Sequence, residues 1–321
     1  MKRLFFAFAA VLWPALAPLA HAQAYPSRPV TLIVPFAAGG PSDAIGRIVA
    51  ERMRTALGQT IVVENVGGAN GTVAAGRVAR AQPDGYTVGI GNNGTNVFNA
   101  AVYPLPYDLI EDFEPIGQMV TAPALVVGTK SLPADDLKGL IAWLKANPDG
   151  ASAGVFAVWA RLMGVTFQEQ TGTKFQFVAY RGAGPAMQDM VAGHIQIMFD
   201  QAGNSLPQLR AGTIKAFAVA AKKRLELAPS VPTTGEAGFP DLQMSVWHGM
   251  WAPRGTPAPV IAALNAALRA ALADAGVRKQ LGQLGQEIAP EDAQSPAALR
   301  ALQKAEAETW WPVIRKANIV P

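Results

Sequence analysis

The run Phe36-Ala37-Ala38-Gly39-Gly40-Pro41 is the first place where this sequence could hold a charged ligand. It follows the apolar stretch VTLIVPF and precedes a helical pattern. Paired glycines let the backbone turn sharply and let a ligand come close. Proline at the first helical position sacrifices no hydrogen bond. The unpaired N–H groups of such a helix start point outward with partial positive charge, which makes a seat for a carboxylate. An ordinary strand–helix turn would read the same way. Ser42 and Asp43 share that ambiguity. An acid at position 43 suits the helix dipole with or without a ligand, and the structural role is favoured.

Two more polar loops follow strand-like runs. Asn65-Val66-Gly67-Gly68-Ala69-Asn70-Gly71 carries residues that tolerate positive φ. Gly89-Ile90-Gly91-Asn92-Asn93-Gly94-Thr95 matches G-x-G-x-x-G by letter. A dinucleotide site also needs a long helix and a later acid. Pro104 and Pro106 leave little room for that helix, so the loop is read as presenting Asn92, Asn93 and Thr95. All three loops would sit at C-terminal strand ends of one sheet, where open parallel sheets bind ligands. Tyr180-Arg181-Gly182-Ala183-Gly184-Pro185 weakly repeats the first loop, either as a second copy of the same device or by coincidence.

Catalytic readings have little support. Cysteine is absent and histidine numbers 3, one of them in the N-terminal leader. No G-x-S-x-G or His-x-x-x-His occurs. His194 reads as a surface turn residue and His248 as a packed or interlobe one. Asp43, Asp84 and Asp200 lie near loops without marking a catalytic pair. No metal or cofactor is expected.

The chain has 321 residues, half of them hydrophobic and 16% charged, which favours two lobes with large cores. Met1 to Ala22 has a Lys2-Arg3 start, an apolar run and an Ala20-His21-Ala22 cleavage pattern, so 1–22 reads as a cleavable secretory signal. Formal charge is +4, and two of the cations sit in that leader. The near balance argues against nucleic acid as a partner.

Strand and helix patterns alternate. Strands are expected at Val30 to Phe36, Thr60 to Val63, Tyr86 to Ile90, from Leu125, and at Gln176 to Ala179, Ile195 to Phe199 and Ala216 to Ala220. Helices are expected through Ile45 to Ala56, stopped by Gly58, and over Thr72 to Ala81. Thr256-Pro257 and Ser295-Pro296 read as helix entries. The opening βαβαβ order predicts a parallel sheet.

Ordered blocks along the chain resemble the extracytoplasmic solute receptors of tripartite tricarboxylate transporters, the Bug receptors. They are Tyr25-Pro26-Ser27-Arg28-Pro29, Val34-Pro35-Phe36, Gly39-Gly40 with Asp43, and Val63-Glu64-Asn65 with Gly67-Gly68. Pro83-Asp84-Gly85-Tyr86-Thr87, Pro106-Tyr107-Asp108 and Asp112-Phe113 come next. Tyr180-Arg181-Gly182, Met198-Phe199-Asp200, Ala218-Val219 with Arg224, and Gly255-Thr256-Pro257 complete the set. The resemblance implies an α/β, two-lobed periplasmic binding protein of type II, each lobe a mixed sheet flanked by helices, with two crossover segments. It places the first lobe at 23–121 and 247–321 and the second at 122–246.

It further implies a periplasmic, monomeric receptor that captures a small carboxylate and presents it to membrane transporter subunits or a sensor protein. A secreted Asp/Glu-dependent hydrolase is the alternative. Carried over by position, the first lobe contributes Phe36, Ala38, Gly39, Ser42, Asp43, Gly68, Asn70, Asn92 and Thr95. The second contributes Ser152, Gly154, Tyr180, Gly182 and Asp200. The chain departs from the family after Gly154, where Phe156, Trp159 and Arg161 replace a small-residue stretch. They either line the cleft, or the aromatics pack inward and Arg161 is solvated.

Overall fold

The computed structural model describes residues 25–148 and 150–319, so the leader at 1–22 lies outside the described residues. Three parallel strands open the chain: β1 (Val30–Val34), β2 (Ile61–Asn65) and β3 (Thr87–Asn92), with β1 between the other two. Their crossovers are α1 (Pro41–Leu57) and α2 (Thr72–Ala79), and the single turn α3 (Asn93–Asn96) follows β3. Pro41 starts α1, and Gly58, at φ 67°, ends it in the left-handed conformation that only glycine adopts easily.

The 17 residues of β4 (Phe113–Thr129) then run through the whole molecule. Phe113 to Pro123 pairs antiparallel with β9 (Ser245–Pro253), which pairs in turn with β3. Ala124 onward pairs instead with β7 (Ile197–Gln201) and β8 (Ile214–Val219). Beyond β7 lie β5 (Ser152–Val155) and β6 (Gln176–Ala179), parallel to one another, and β5 is also parallel to β7. The strand order is β2-β1-β3-β9-β4-β7-β5-β6, with β8 and the two-residue β10 (Glu287–Ile288) paired to β4. The sheet therefore has two halves, one per lobe, joined where β4 and β9 pass between them.

Helices α4 (Leu137–Ala146), α5 (Val158–Thr171), α6 (Ala183–Val191) and α7 (Ala202–Arg210) belong to the second half, and α8 (Ala258–Ala273), α9 (Ala275–Gln283) and α10 (Pro296–Lys316) return the chain to the first. The first half buries Val30, Leu32, Val34, Ile45, Val49 and Met53 against Leu264, Leu268 and Leu272 of α8. This matches the apolar spacing of the sequence.

Two expectations shift. β4 begins twelve residues before Leu125. It was hidden because Pro115, Gly117 and Gln118 break the strand-like pattern, and the ladder to β9 shifts register there. The helix after Thr256-Pro257 starts at Ala258 with Pro257 as its cap, because the Thr256 hydroxyl donates back to the Pro253 carbonyl. Ser295 does cap α10, accepting from the Ala298 amide at 3.1 Å. No single helix among the described residues is long and apolar enough to cross a membrane.

Candidate functional site

The C-terminal ends of β1, β2 and β3 face those of β5, β6 and β7 across the gap between the halves. The two Gly-Pro loops meet there. The Ala37 amide donates to the Arg181 carbonyl at 3.3 Å. A Cβ added at Gly182 would stand 3.2 Å from the Ala37 nitrogen, and one at Gly67 3.3 Å from the Arg181 oxygen. These glycines exist because backbone meets backbone. The helix starts differ in one detail: α1 begins at its proline, whereas α6 begins at Ala183, two residues before Pro185.

Between the halves lies a cavity of about 10 Å³, lined by Phe36, Gly40, Pro41, Ser42, Asn92, Phe156, Ala183 and Gln201. That is room for about one water, so the lobes stand closed on one another, and a bound acid would hold them further apart. The N-termini of α1 and α6 approach one another here, each presenting first-turn amides without intrahelical partners. Their dipoles add positive potential from both sides. A larger hollow of about 610 Å³ behind the crossover strands shares no lining residue with this cavity. Its lining mixes Lys222, Lys223 and Arg224 with Glu226 and Glu287, and Arg224 is committed to Glu236.

Ser42 is 3% exposed, and its Oγ lies 2.9 Å from Nε2 of the fully buried His248 on β9. Burial pushes the His248 pKa down to about 3, so the ring is neutral. Its Nδ1 has no hydrogen-bond partner. A buried N–H left unpaired costs more than an unused lone pair, which places the proton on Nε2. His248 then donates to Ser42, and the serine hydroxyl is left to donate into the cavity. The pair is not a catalytic one in this tautomer, because Nε2 has no lone pair to take a proton and Nδ1 meets no carboxylate.

Asn92 and Thr95 form a reciprocal cap: the Asn92 Oδ1 accepts from the Thr95 amide at 3.0 Å, and the Asn92 amide donates to the Thr95 hydroxyl at 2.8 Å. This fixes the Asn92 carbonyl oxygen and turns its NH₂ into a remaining donor. Thr95 supports Asn92 and does not line the cavity.

Asp43 plays the structural part. It accepts from the Gly39 amide at 3.0 Å and from Arg47 at 2.9 Å. Burial pushes its pKa up, but the bonds from Arg47 and Gly39 outweigh this and hold it below the ordinary value. Gly39, at φ +87°, is therefore a turn whose own N–H is already taken, and Ala38 and Gly39 sit at the exposed rim.

The other expected residues fall outside the cavity lining. Gly68 bends the backbone at φ 140°, and the Asn70 side chain turns to the Tyr103 hydroxyl at 2.7 Å. Ser152 begins β5, at the strand end away from the cleft, where its amide donates to Gln196. At Gly154 an added Cβ would meet Ile195 at 2.5 Å, so that position faces the core. The Tyr180 hydroxyl donates to Asp189 at 2.6 Å. Burial and that carboxylate raise its pKa to about 12. Asp200 is fully buried and accepts from Ser205 and Asn204; Asn204 also donates to the Ala183 carbonyl. Asp200 thus braces the start of α6 from below. Burial raises its pKa to about 6 against those hydrogen bonds.

The departure after Gly154 resolves into separate roles. Phe156 lines the cavity, and Trp159 packs on it edge-to-face at 5.5 Å. A Cβ at Gly94 would lie 3.0 Å from Trp159 Cδ1, so this tryptophan of the second lobe seats directly on the first. Arg161 stacks over Phe177 at 5.0 Å, outside the cavity lining. Sequence reasoning missed Gln201 and the partnership of His248 with Ser42. Gln201 had one available signal: like Ser42 and Asn92, it stands where a strand gives way to a helix.

Among the described residues, no three His, Asp or Glu side chains converge as metal ligands.

Comparison with known proteins accords with this geometry. The structure of the periplasmic binding protein BugD superposes with a TM-score of 0.89 at 38% identity, covering 92% of this chain and 99% of that one. MatC from Rhodopseudomonas palustris, solved with bound malate, gives 0.87 at 37% identity, covering 90% and 100%. A second R. palustris protein, solved with adipate, gives 0.88 at 34% identity, covering 92% and 99%. The family model described as "Tripartite tricarboxylate transporter family receptor" matches residues 45–319. The chain belongs to this TctC family of solute-binding receptors and has the two-lobed fold of its periplasmic relatives.

Proposed function

We propose that this protein captures a small carboxylate between its lobes in the periplasm and presents the closed form to a membrane transporter. The lobes would divide near 121/122 and 246/247, where β4 and β9 pass from one half of the sheet to the other. The observation that carries the reading is the convergence of the α1 and α6 starts, with the Ser42 hydroxyl and the Asn92 amide, on one interlobe cavity. All of these groups can donate hydrogen bonds to an anion. The malate and adipate held by two relatives support the same ligand class.

Closure follows from differential contact. A ligand shifts an open–closed equilibrium only by its extra affinity for one form. An acid touching Gly40 and Ser42 on one side and Ala183 on the other gains its second set of bonds only when the lobes close. Charge-assisted hydrogen bonds contribute about 1.5–3 kcal/mol each. Two or three of them supply the ~5.5 kcal/mol that moves a population from 1:99 to 99:1.

The test is a thermal-shift screen of the mature chain, followed by calorimetry. Di- and monocarboxylates are expected to raise the melting temperature. Stabilisation by neutral sugars or amines, with none by any acid, would overturn the proposal.

A further inference from the structure

Gln201 ends β7 at the cap position of α7, yet its side chain makes no capping bond. It is 1% exposed and lines the interlobe cavity, and its Oε1 is buried without a hydrogen-bond partner. The rest of the polar lining donates: the Ser42 hydroxyl, the Asn92 NH₂ and the first-turn amides of α1 and α6. Those groups suit a carboxylate, and a lone carbonyl oxygen among them does not. A buried acceptor left without a donor is destabilising. Above pH 6 the neighbouring Asp200 does not relieve it, because its ionised carboxylate only accepts and its Oδ2 is already held by Asn204 and Ser205.

We propose that Gln201 accepts a hydrogen bond from a hydroxyl or ammonium group carried by the ligand beside its carboxylate, so that the receptor selects hydroxy- or amino-substituted acids over plain ones. This rests on the carboxylate reading above and narrows it. A plain acid would keep its carboxylate bonds and leave Oε1 unpaired. Sites built around a substrate hydrogen bond reject the analogue that lacks it for this reason.

The experiment is calorimetric titration of the mature chain with succinate, malate and aspartate, which share a four-carbon skeleton and differ in the donor. Adipate, 2-hydroxyadipate and 2-aminoadipate repeat the comparison on a longer chain. In at least one series the hydroxy or amino acid is expected to bind about tenfold or more tighter than the plain acid. Whether the hydroxyl or the ammonium arm wins identifies the donor. Gln201→Met keeps the length of the side chain without its oxygen, and should bring the series members within about threefold of one another.

Plain acids binding as tightly as substituted ones in both series overturn the proposal, and so does a preference that survives in Gln201→Met. If that variant does not fold, the wild-type ranking decides alone. Binding by none of the six overturns the carboxylate reading itself, and the role of Gln201 with it.

Discussion

Replacing Gly40 separates lobe closure from folding. A Cβ there would stand 3.8 Å from the amide nitrogens of Ala183 and Gly184, which is ordinary contact, and its φ of −89° suits any residue. Gly40→Ala should therefore close and bind as the wild type does. Leucine adds three more carbons, directed at the α6 amides across a cavity of about 10 Å³. Overpacking of this kind costs about 1–3 kcal/mol. The open form leaves the side chain in solvent, so the cost falls on the closed form alone. Apparent affinity falls with the closed fraction, which gives a loss of roughly 5- to 150-fold. Calorimetry with malate on the wild type and both variants measures the loss. The unliganded melting temperature of Gly40→Leu should stay near the wild-type value, because neither core is touched. Unchanged affinity in Gly40→Leu, or equal losses in both variants, would refute the reasoning.

Two further substitutions probe the groups around the cavity. Ser42→Ala should weaken carboxylate binding about tenfold. His248→Leu should weaken it comparably, and His248→Gln, which keeps a donor, should restore part of the loss. ¹⁵N spectra of the apo protein should show the His248 proton on Nε2, and a proton on Nδ1 would reverse that account. Asp200 titrates near pH 6 in the folded protein, against 3.8 for an ordinary aspartate in water. Between those values the folded protein holds the extra proton, so this group's contribution to stability falls as pH rises, by about 3 kcal/mol across the window. Denaturation of Asp200→Asn between pH 4 and pH 7 should lack that slope relative to wild type, and identical pH profiles would refute it.

Much of the first half of the molecule could be read from its letters. The VTLIVPF run, the α1 stripe and the Gly58 stop follow from local periodicity and backbone chemistry, and the structure contains each of them. The two Gly-Pro loops do meet, but the close approach is of loop to loop and falls at Gly182, whose added Cβ would stand 3.2 Å from the Ala37 nitrogen, while Gly40 has ordinary room. The site was harder. Ser152 and Gly154 were carried by position, and strand direction puts one at the far end of β5 and the other in the core. His248 could be recognised as buried, but its partner lies 206 residues away, and only the β3–β9–β4 pairing brings them together. The first twelve residues of β4 escaped detection because a strand that passes through two environments carries no single alternation.

That strand has a mechanical consequence. With β4 and β9 hydrogen-bonded to one another through the passage between lobes, no slack loop exists there to swing on. Opening must be spread as extra twist and bend over a paired ribbon, a spring more than a joint. Its stiffness limits the angle the lobes can reach, and the amides from Thr121 to Ala124 are where exchange with deuterated solvent should report each excursion.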